Sequence, residues 1–234
     1  MPCAISRPEL KKIVAGCVEH SGLDDAYVEM IQTRGMSPNF QRDPRKASPR
    51  FMAFAVPFGW ILEPQNFESG LNVIVSDRRR ISPDSIDSRI KNYHWLDLVS
   101  GMYEAYDSNS DTVILTDEKN NISEGPGFNI FCLNENGIST PKKGVLEGIT
   151  RQTVMDLAKE IRLPINLCSV SIELLKDSDE VFASSTAGGV MPITSIDNQI
   201  IGDGSPGPLT RELHKLYWDK HDDPKWSVSV KELI

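Results

Sequence analysis

The sequence predicts an α+β fold. Segments with strand character outnumber segments with helical periodicity, and many of them are joined by hairpin-like turns rather than by helical crossovers. The composition, 39% hydrophobic and 25% charged over 234 residues, is that of an ordinary globular chain with enough length for one or two domains and a sizeable core.

Each element has a local reason. Ser6 and Glu9 form an S-x-x-E capping box with Pro8 in the first turn, and Leu10, Ile13, Val14, Cys17 and Val18 lay one apolar stripe along the helix that follows. Gly22 is placed to end it. Residues 26–33 read as a strand, 36–50 as a long Pro-bearing loop, and 51–56 and 71–76 as further strands. The charged stretch 78–87 reads as a linker, which puts a domain boundary near residue 88: a partial small N-terminal domain over 1–88 and a larger C-terminal domain over 89–234. Beyond it, Leu96, Val99, Met102 and Tyr103 give a helix, 112–115 and 128–133 read as strands, and Asn136-Gly137 signals a hairpin into Ile138. Thr150 is placed to cap a helix through Val154, Leu157, Ala158 and Ile161. Strands at 165–170, 180–183 and 191–194 precede a final helix over 208–219.

Charge and composition exclude several classes of function. Twenty-five basic against 33 acidic residues give a net charge of −8. A chain so acidic is ill suited to grip phosphate backbones or anionic membranes, so no nucleic-acid or membrane partner is expected. No apolar run reaches the roughly 18 residues of a membrane helix, and the N-terminus lacks the basic-then-apolar order of a signal peptide. Cys3, Cys17, Cys132 and Cys168 are scattered without a CxxC, as expected of reduced thiols in a cytoplasmic protein. The four histidines make no ligand-like spacing with them, so no metal site is expected. Gly202, Gly204 and Gly207 match GxGxxG ahead of a helix, but no further strand with an acidic residue follows, so the match reads as a turn rather than a dinucleotide site.

Four features carry chemistry. Lys91, flanked by Ile90 and the aromatic Tyr93 and Trp95, is a candidate for a partly buried lysine, and a desolvated lysine becomes a nucleophile toward carbonyls. Glu124 sits at a Gly-rich turn entering a strand, aimed to meet a cationic ligand atom. Gly148-Ile149-Thr150-Arg151 opens a helix whose free amides form an anion site. Ser184-Ser185-Thr186-Ala187-Gly188-Gly189 is a second small-residue turn able to present amides and hydroxyls. Each alone has an ordinary structural explanation. Together they are the parts of a pyridoxal phosphate site: a lysine for the aldehyde, a carboxylate for the ring nitrogen, and two loops for the phosphate.

At these residues the chain resembles the class IV aminotransferases, the pyridoxal phosphate fold-type IV family. Four blocks match in order: IKNYHW, ISEGPGFNI, GVLEGITR and SSTAGGVMPIT. The first and last, with SGLDDAYVEMIQTRG, most resemble the (R)-selective amine transaminase and branched-chain aminotransferase-like branch. The resemblance implies a small α/β domain, here incomplete, plus a larger barrel-like α/β domain, assembled as a homodimer with sites near the interface. It implies Lys91 as the Schiff-base lysine and proton shuttle, and Glu124 as the partner of the pyridine nitrogen. Leu146 would pack on the ring face, Ile149 and Thr150 would bind phosphate through the helix N-terminus, and Ser185 and Thr186 would form the second phosphate loop. Trp95 and Phe128 are candidates for the pocket wall, and Arg34 for a substrate carboxylate.

The implied reaction is ping-pong transamination between an amine or amino acid and a keto acceptor. The matching region begins inside the family's small domain. Members carry, ahead of the part matching the first helix, several strands and a motif with a phosphate-gripping arginine, and the chain is expected to be truncated relative to them at its N-terminal side. A sheet with unpaired edges and a weaker hold on the cofactor are therefore expected. Two other readings remain open: an inactive or incomplete remnant of the family, and a pyridoxal phosphate lyase of the aminodeoxychorismate lyase type.

Overall fold

The structure is a computed structural model that describes residues 5–233. The chain divides into two compact units, Met1–Gly59 with Asp223–Ile234, and Trp60–Asp222. The division falls after Gly59, not near residue 88. The reason lies in β3 (Leu71–Arg79), which pairs in parallel with β4 (Thr112–Thr116) and β10 (Gly189–Ile196) and so belongs to the second unit.

The first unit is small. Its helix α1 (Arg7–Ser21) starts where Ser6 accepts the Glu9 amide at 3.4 Å and stops at Gly22, whose φ of 66° is the left-handed conformation expected of it. Strands β1 (Ala26–Met36) and β2 (Ser48–Pro57) pair antiparallel, with a bulge between Thr33 and Met36. The loop expected over 36–50 is shorter at both ends and contains single 3-10 turns at Pro38–Phe40 and Pro44–Lys46. Met30, Met36, Met52, Phe54 and Val56 are exposed on this two-stranded sheet.

The second unit is built on a nine-stranded sheet. Its main path runs β4-β3-β10-β9-β6-β7-β8, with β9 at Glu180–Ser185, β6 at Phe128–Asn134, β7 at Gly137–Pro141 and β8 at Ile165–Cys168. Short β5 (Glu124–Gly125) pairs with β6, and β11 (Gln199–Ile200) with β10. The edges β4 and β8 are drawn together by residues 121–123: the Ser123 amide donates to Leu115 O at 2.9 Å and the Ile122 amide to Val170 O at 2.7 Å. Isolated bridges Thr116–Ile122 and Asn121–Ser171 complete the link. The sheet thus curls around a buried core that includes Leu71, Val73, Ile114, Ile130, Val181 and Ile193, the barrel-like form that the resemblance implies.

Helices cover the outer face. Helix α2 (Leu96–Asp107) packs Leu98 and Ala105 onto Val113 and Leu115. Helices α3 (Ile149–Glu160) and α5 (Pro208–Asp219) bury Val154, Leu157 and Leu213 against Phe131 and Phe182, whose rings stack at 5.0 Å. Three details differ from the sequence reading. The hairpin turn is Glu135-Asn136, one residue earlier than expected, with Gly137 opening β7. Thr150 is the second residue of α3, and Gly148 takes the cap position instead. Short α4 (Ile172–Lys176), capped by Ser171, is an added element.

The GxGxxG match is a turn, as expected: Gly202 and Gly204 take positive φ and Gly207 leads into α5. The N-terminus of α5 is held by a carboxylate from the sheet. Buried Glu180 accepts the Leu209 amide at 3.0 Å, the Thr210 amide at 2.8 Å and the Thr210 hydroxyl at 2.7 Å. Glu180→Ala strands these donors and is expected to lower the free energy of unfolding by about 2 kcal/mol. Urea denaturation followed by circular dichroism measures it, and a loss below about 0.5 kcal/mol contradicts the capping role.

Candidate active site

The site grows from the 122–125 turn. Glu124 is buried at 6% exposure on β5, opposite Asn129 of β6. Both of its oxygens are held. Arg80 Nε donates to Oε1 at 3.1 Å, and the Leu146 amide donates to Oε2 at 2.8 Å. Arg80 also donates from Nη1 to Asp97 at 2.6 Å, and Asp97 accepts the Ile81 amide at 2.8 Å. Burial pushes the Glu124 carboxyl above its ordinary value of 4.5, against the pull of the Leu146 amide and Arg80. Burial opposes the Arg80 charge too, but Asp97 and Glu124 together hold its pKa above the ordinary guanidinium value.

Leu146 and the start of α3 are fixed to the same strand pair. Asn129 Nδ2 donates to Leu146 O at 2.9 Å. The chain then turns over Asn129 so closely that a Cβ on Gly148 would lie 2.5 Å from its Oδ1, so a larger residue there would have to displace the Asn129 amide. Helix α3 begins at Ile149 with no side chain capping its first amides, whereas Ser6 caps α1, Ser171 caps α4 and Glu180 holds α5. Ile149 is 85% exposed and Thr150 is buried. Arg151 is buried beneath this turn, donating from Nη2 to Pro141 O at 2.9 Å, and burial lowers its pKa.

The second loop leaves β9 beside Asn129, since Asn129 pairs with Ser184. The Ser185 hydroxyl donates to Gly127 O at 2.8 Å and accepts the Ala187 amide at 3.1 Å, so it ties two turns together. Thr186 at the tip is exposed. Glu124, Leu146, Thr150, Ser185 and Thr186 therefore gather around the ends of β5, β6 and β9.

Lys91 lies on the irregular segment between Arg80 and α2, whose two ends are anchored through Arg80, Asp97 and Glu124. The expectation of a partly buried lysine is not met. Lys91 is exposed, and its neighbours Ile90 and Tyr93 are 63% and 67% exposed, so they shield nothing. Trp95 is half-buried and its ring approaches the Gly127 turn. Phe128 is core: its ring lies over Gly125, so it is not a free pocket wall. Arg34 is exposed on β1 of the first unit. The residues that sequence reasoning missed are Arg80 and Asp97. Arg80 is hidden in the charged run Arg78-Arg79-Arg80, which reads as part of a linker.

Residues 1–196 match the family model of class IV amino-transferases. The chain belongs to the class IV aminotransferases. It is 29% identical over 229 residues to a putative branched-chain-amino-acid aminotransferase of Methanocaldococcus jannaschii, covering 97% of this chain and 77% of that protein. The crystal structure of the Escherichia coli branched-chain amino acid aminotransferase superposes with a TM-score of 0.89 at 27% identity, covering 98% of this chain and 78% of that one. The branched-chain aminotransferase of the thermophilic archaeon Thermoproteus uzoniensis, solved with norvaline, gives 0.87 at 27% identity, covering 97% and 77%. Among the described residues no helix is long and apolar enough to cross a membrane.

The Glu124 environment sets a pH dependence. Below pH 4.5 both folded and unfolded chains hold the proton. Above it the unfolded chain ionises first, so the raised folded value costs stability as the pH climbs through it. Glu124→Gln lacks this loss. The urea midpoint of the parent minus that of Glu124→Gln is therefore expected to fall as the pH climbs above about 4.5. A difference that rises over that range contradicts the raised value.

Proposed function

We propose that this aminotransferase uses pyridoxal phosphate held by Lys91, Glu124, Leu146, Ile149, Thr150, Ser185 and Thr186, and that it works as a homodimer in the cytoplasm. The observation that carries this reading is the Glu124 carboxylate, fixed by Arg80 and the Leu146 amide beside a helix that begins without a side-chain cap. The donor set fits the group. The first amides of α3 and the dipole behind them suit a phosphate dianion. Glu124, already positioned, accepts a hydrogen bond from a protonated ring nitrogen, and that cation lowers its pKa.

Bound pyridoxal phosphate supplies an electron sink for charge developing at the substrate α-carbon. The protein's residues do the rest. The Lys91 amine removes the α-proton as general base and returns it as general acid. Leu146, its backbone pinned at both the amide and the carbonyl, would hold the ring from one side. Glu124 would keep the ring nitrogen protonated, and Arg80 with Asp97 keeps Glu124 in place. Ser185 orders the second loop, and Thr186 at its tip would hold the phosphate.

The substrate class is an amino acid with an apolar side chain. A cavity of about 270 Å³ beside Gly188, at the end of the second loop, is walled mostly by apolar side chains, among them Trp60, Leu62, Phe67, Met191 and Trp218, with Glu63 and His214 also on its lining. Such a cavity favours an aliphatic group over a charged one. The related proteins named as branched-chain aminotransferases support the same class.

Incubating the protein with pyridoxal phosphate, reducing with borohydride and mapping peptides by mass spectrometry tests the lysine. A pyridoxyl group on Lys91 is expected, absent in Lys91→Met. Modification centred on another lysine overturns the assignment.

A further inference from the structure

Helix α2 has two faces with opposite surroundings. Leu98 and Ala105 cluster with Val113 and Leu115, and a Cβ added at Gly101 would stand 3.1 Å from the side chains of Val113 and Leu115. That face is closed against the sheet. The face turned away from it carries Leu96, Val99, Tyr103 and Tyr106, spaced i, i+3, i+7 and i+10 and so aligned on one side of the helix. They are 82%, 38%, 68% and 54% exposed. Ser100, beside them, directs its hydroxyl to the Leu96 carbonyl at 2.7 Å. The first acidic side chain on this face is Asp107, at its far end. At the near end, Ile90 and Tyr93 continue the exposed apolar surface on either side of Lys91 in the chain.

We propose that two copies of the chain pair through this face of α2, and that each copy covers the segment bearing Lys91 in the other. The area fits a second copy. At about 200 Å² for a whole large side chain, the exposed parts of these six residues amount to roughly 700 Å². That is more than the largest apolar patch of a typical monomer, and it approaches the ~800 Å² that each partner gives to a stable interface. The chemistry fits as well. A two-fold pairing sets one patch against itself, so like charges on it would meet. A chain of net charge −8 can pair in this way only through a face free of acidic side chains, and the stripe from Leu96 to Tyr106 is such a face. The pairing supplies what one chain lacks. A lysine that attacks a carbonyl must be partly removed from water to react as the free amine, and Lys91 is exposed in the single chain. The site is therefore incomplete at its reacting group until the second copy is in place.

The inference rests on the reading of Lys91 as the reacting lysine of a homodimer, and its test is run without cofactor so that the two can fail separately. Sedimentation velocity of the full chain is expected to give twice the chain mass of 26.1 kDa. Tyr103→Glu combined with Val99→Glu, and separately Leu96→Arg, place charge at exposed positions that the fold does not need. Both variants are expected to sediment as monomers with an unchanged far-ultraviolet circular dichroism spectrum. Acylation by N-hydroxysuccinimidyl acetate, mapped by mass spectrometry, then reports on Lys91, with exposed Lys11 of α1 as the internal reference. Relative to Lys11, Lys91 is expected to react about tenfold more slowly in the parent than in either variant, because only the dissociated fraction presents it. A monomeric parent, variants that stay dimeric, or a Lys91 that reacts equally fast in parent and variants overturns the proposal. The borohydride mapping of Lys91 reports on the cofactor alone, and its failure leaves the interface and the covered lysine standing.

Discussion

The carboxylate of Glu124 is the group around which the second unit's buried polar contacts are arranged. An ionised or partly ionised carboxyl removed from water is costly unless its oxygens are bonded. Here one oxygen takes a guanidinium and the other a backbone amide. Those two bonds reach in different directions along the chain. Arg80 continues to Asp97 and so fixes the start of α2 relative to the 122–125 turn. The Leu146 amide brings in the segment that becomes α3. One buried acid thus correlates the placement of the Lys91 segment, the strand pair β5–β6 and the entry to α3.

The two helices over the same face show how one piece of physics is used for opposite ends. The N-terminus of α5 is satisfied from within, because Glu180 supplies oxygens to its first donors. The N-terminus of α3 has no such internal acid, and its cap residue is a glycine pressed against Asn129. The first arrangement stabilises the fold. The second leaves donors and a positive dipole end for an anion from outside, at some cost to the helix itself. The Gly-rich match before α5, which resembles a nucleotide loop in sequence, accordingly serves structure, and the plainer Gly148-Ile149-Thr150 leaves its first amides without a side-chain acceptor.

Much of this is legible in the sequence, for identifiable reasons. Helix α1 follows from its capping residues and both α1 and α5 from one-sided apolar stripes, which are local signals, and the two helices lie where those signals place them. The turns that carry Glu124 and Thr150 are readable because their small residues mark the entry to a strand and to a helix, and the structure places β5 and α3 there. What cannot be read depends on distant partners. The division after Gly59 is set by β3 pairing with β10, a contact no window along the chain contains. Arg80 looks like one of three solvated arginines until Glu124 and Asp97 come to it through the fold. Lys91 misleads in the other direction: apolar neighbours in sequence suggest burial, yet Ile90 and Tyr93 turn outward and leave it exposed.

The position of β10 in the middle of the large sheet has a consequence for how the protein is made. β3 is synthesised early, but its inner neighbour begins only at Gly189, near the end of the second unit. On the ribosome, β3 and β4 therefore emerge as a parallel pair with one long edge unpaired and an apolar face uncovered. The unit closes only when β9 and β10 arrive as a hairpin and insert between β3 and β6. Such long-range pairing slows folding and lengthens the time an open edge is exposed. The same late hairpin carries the 185–189 turn, so that turn and the closed barrel are completed in one event.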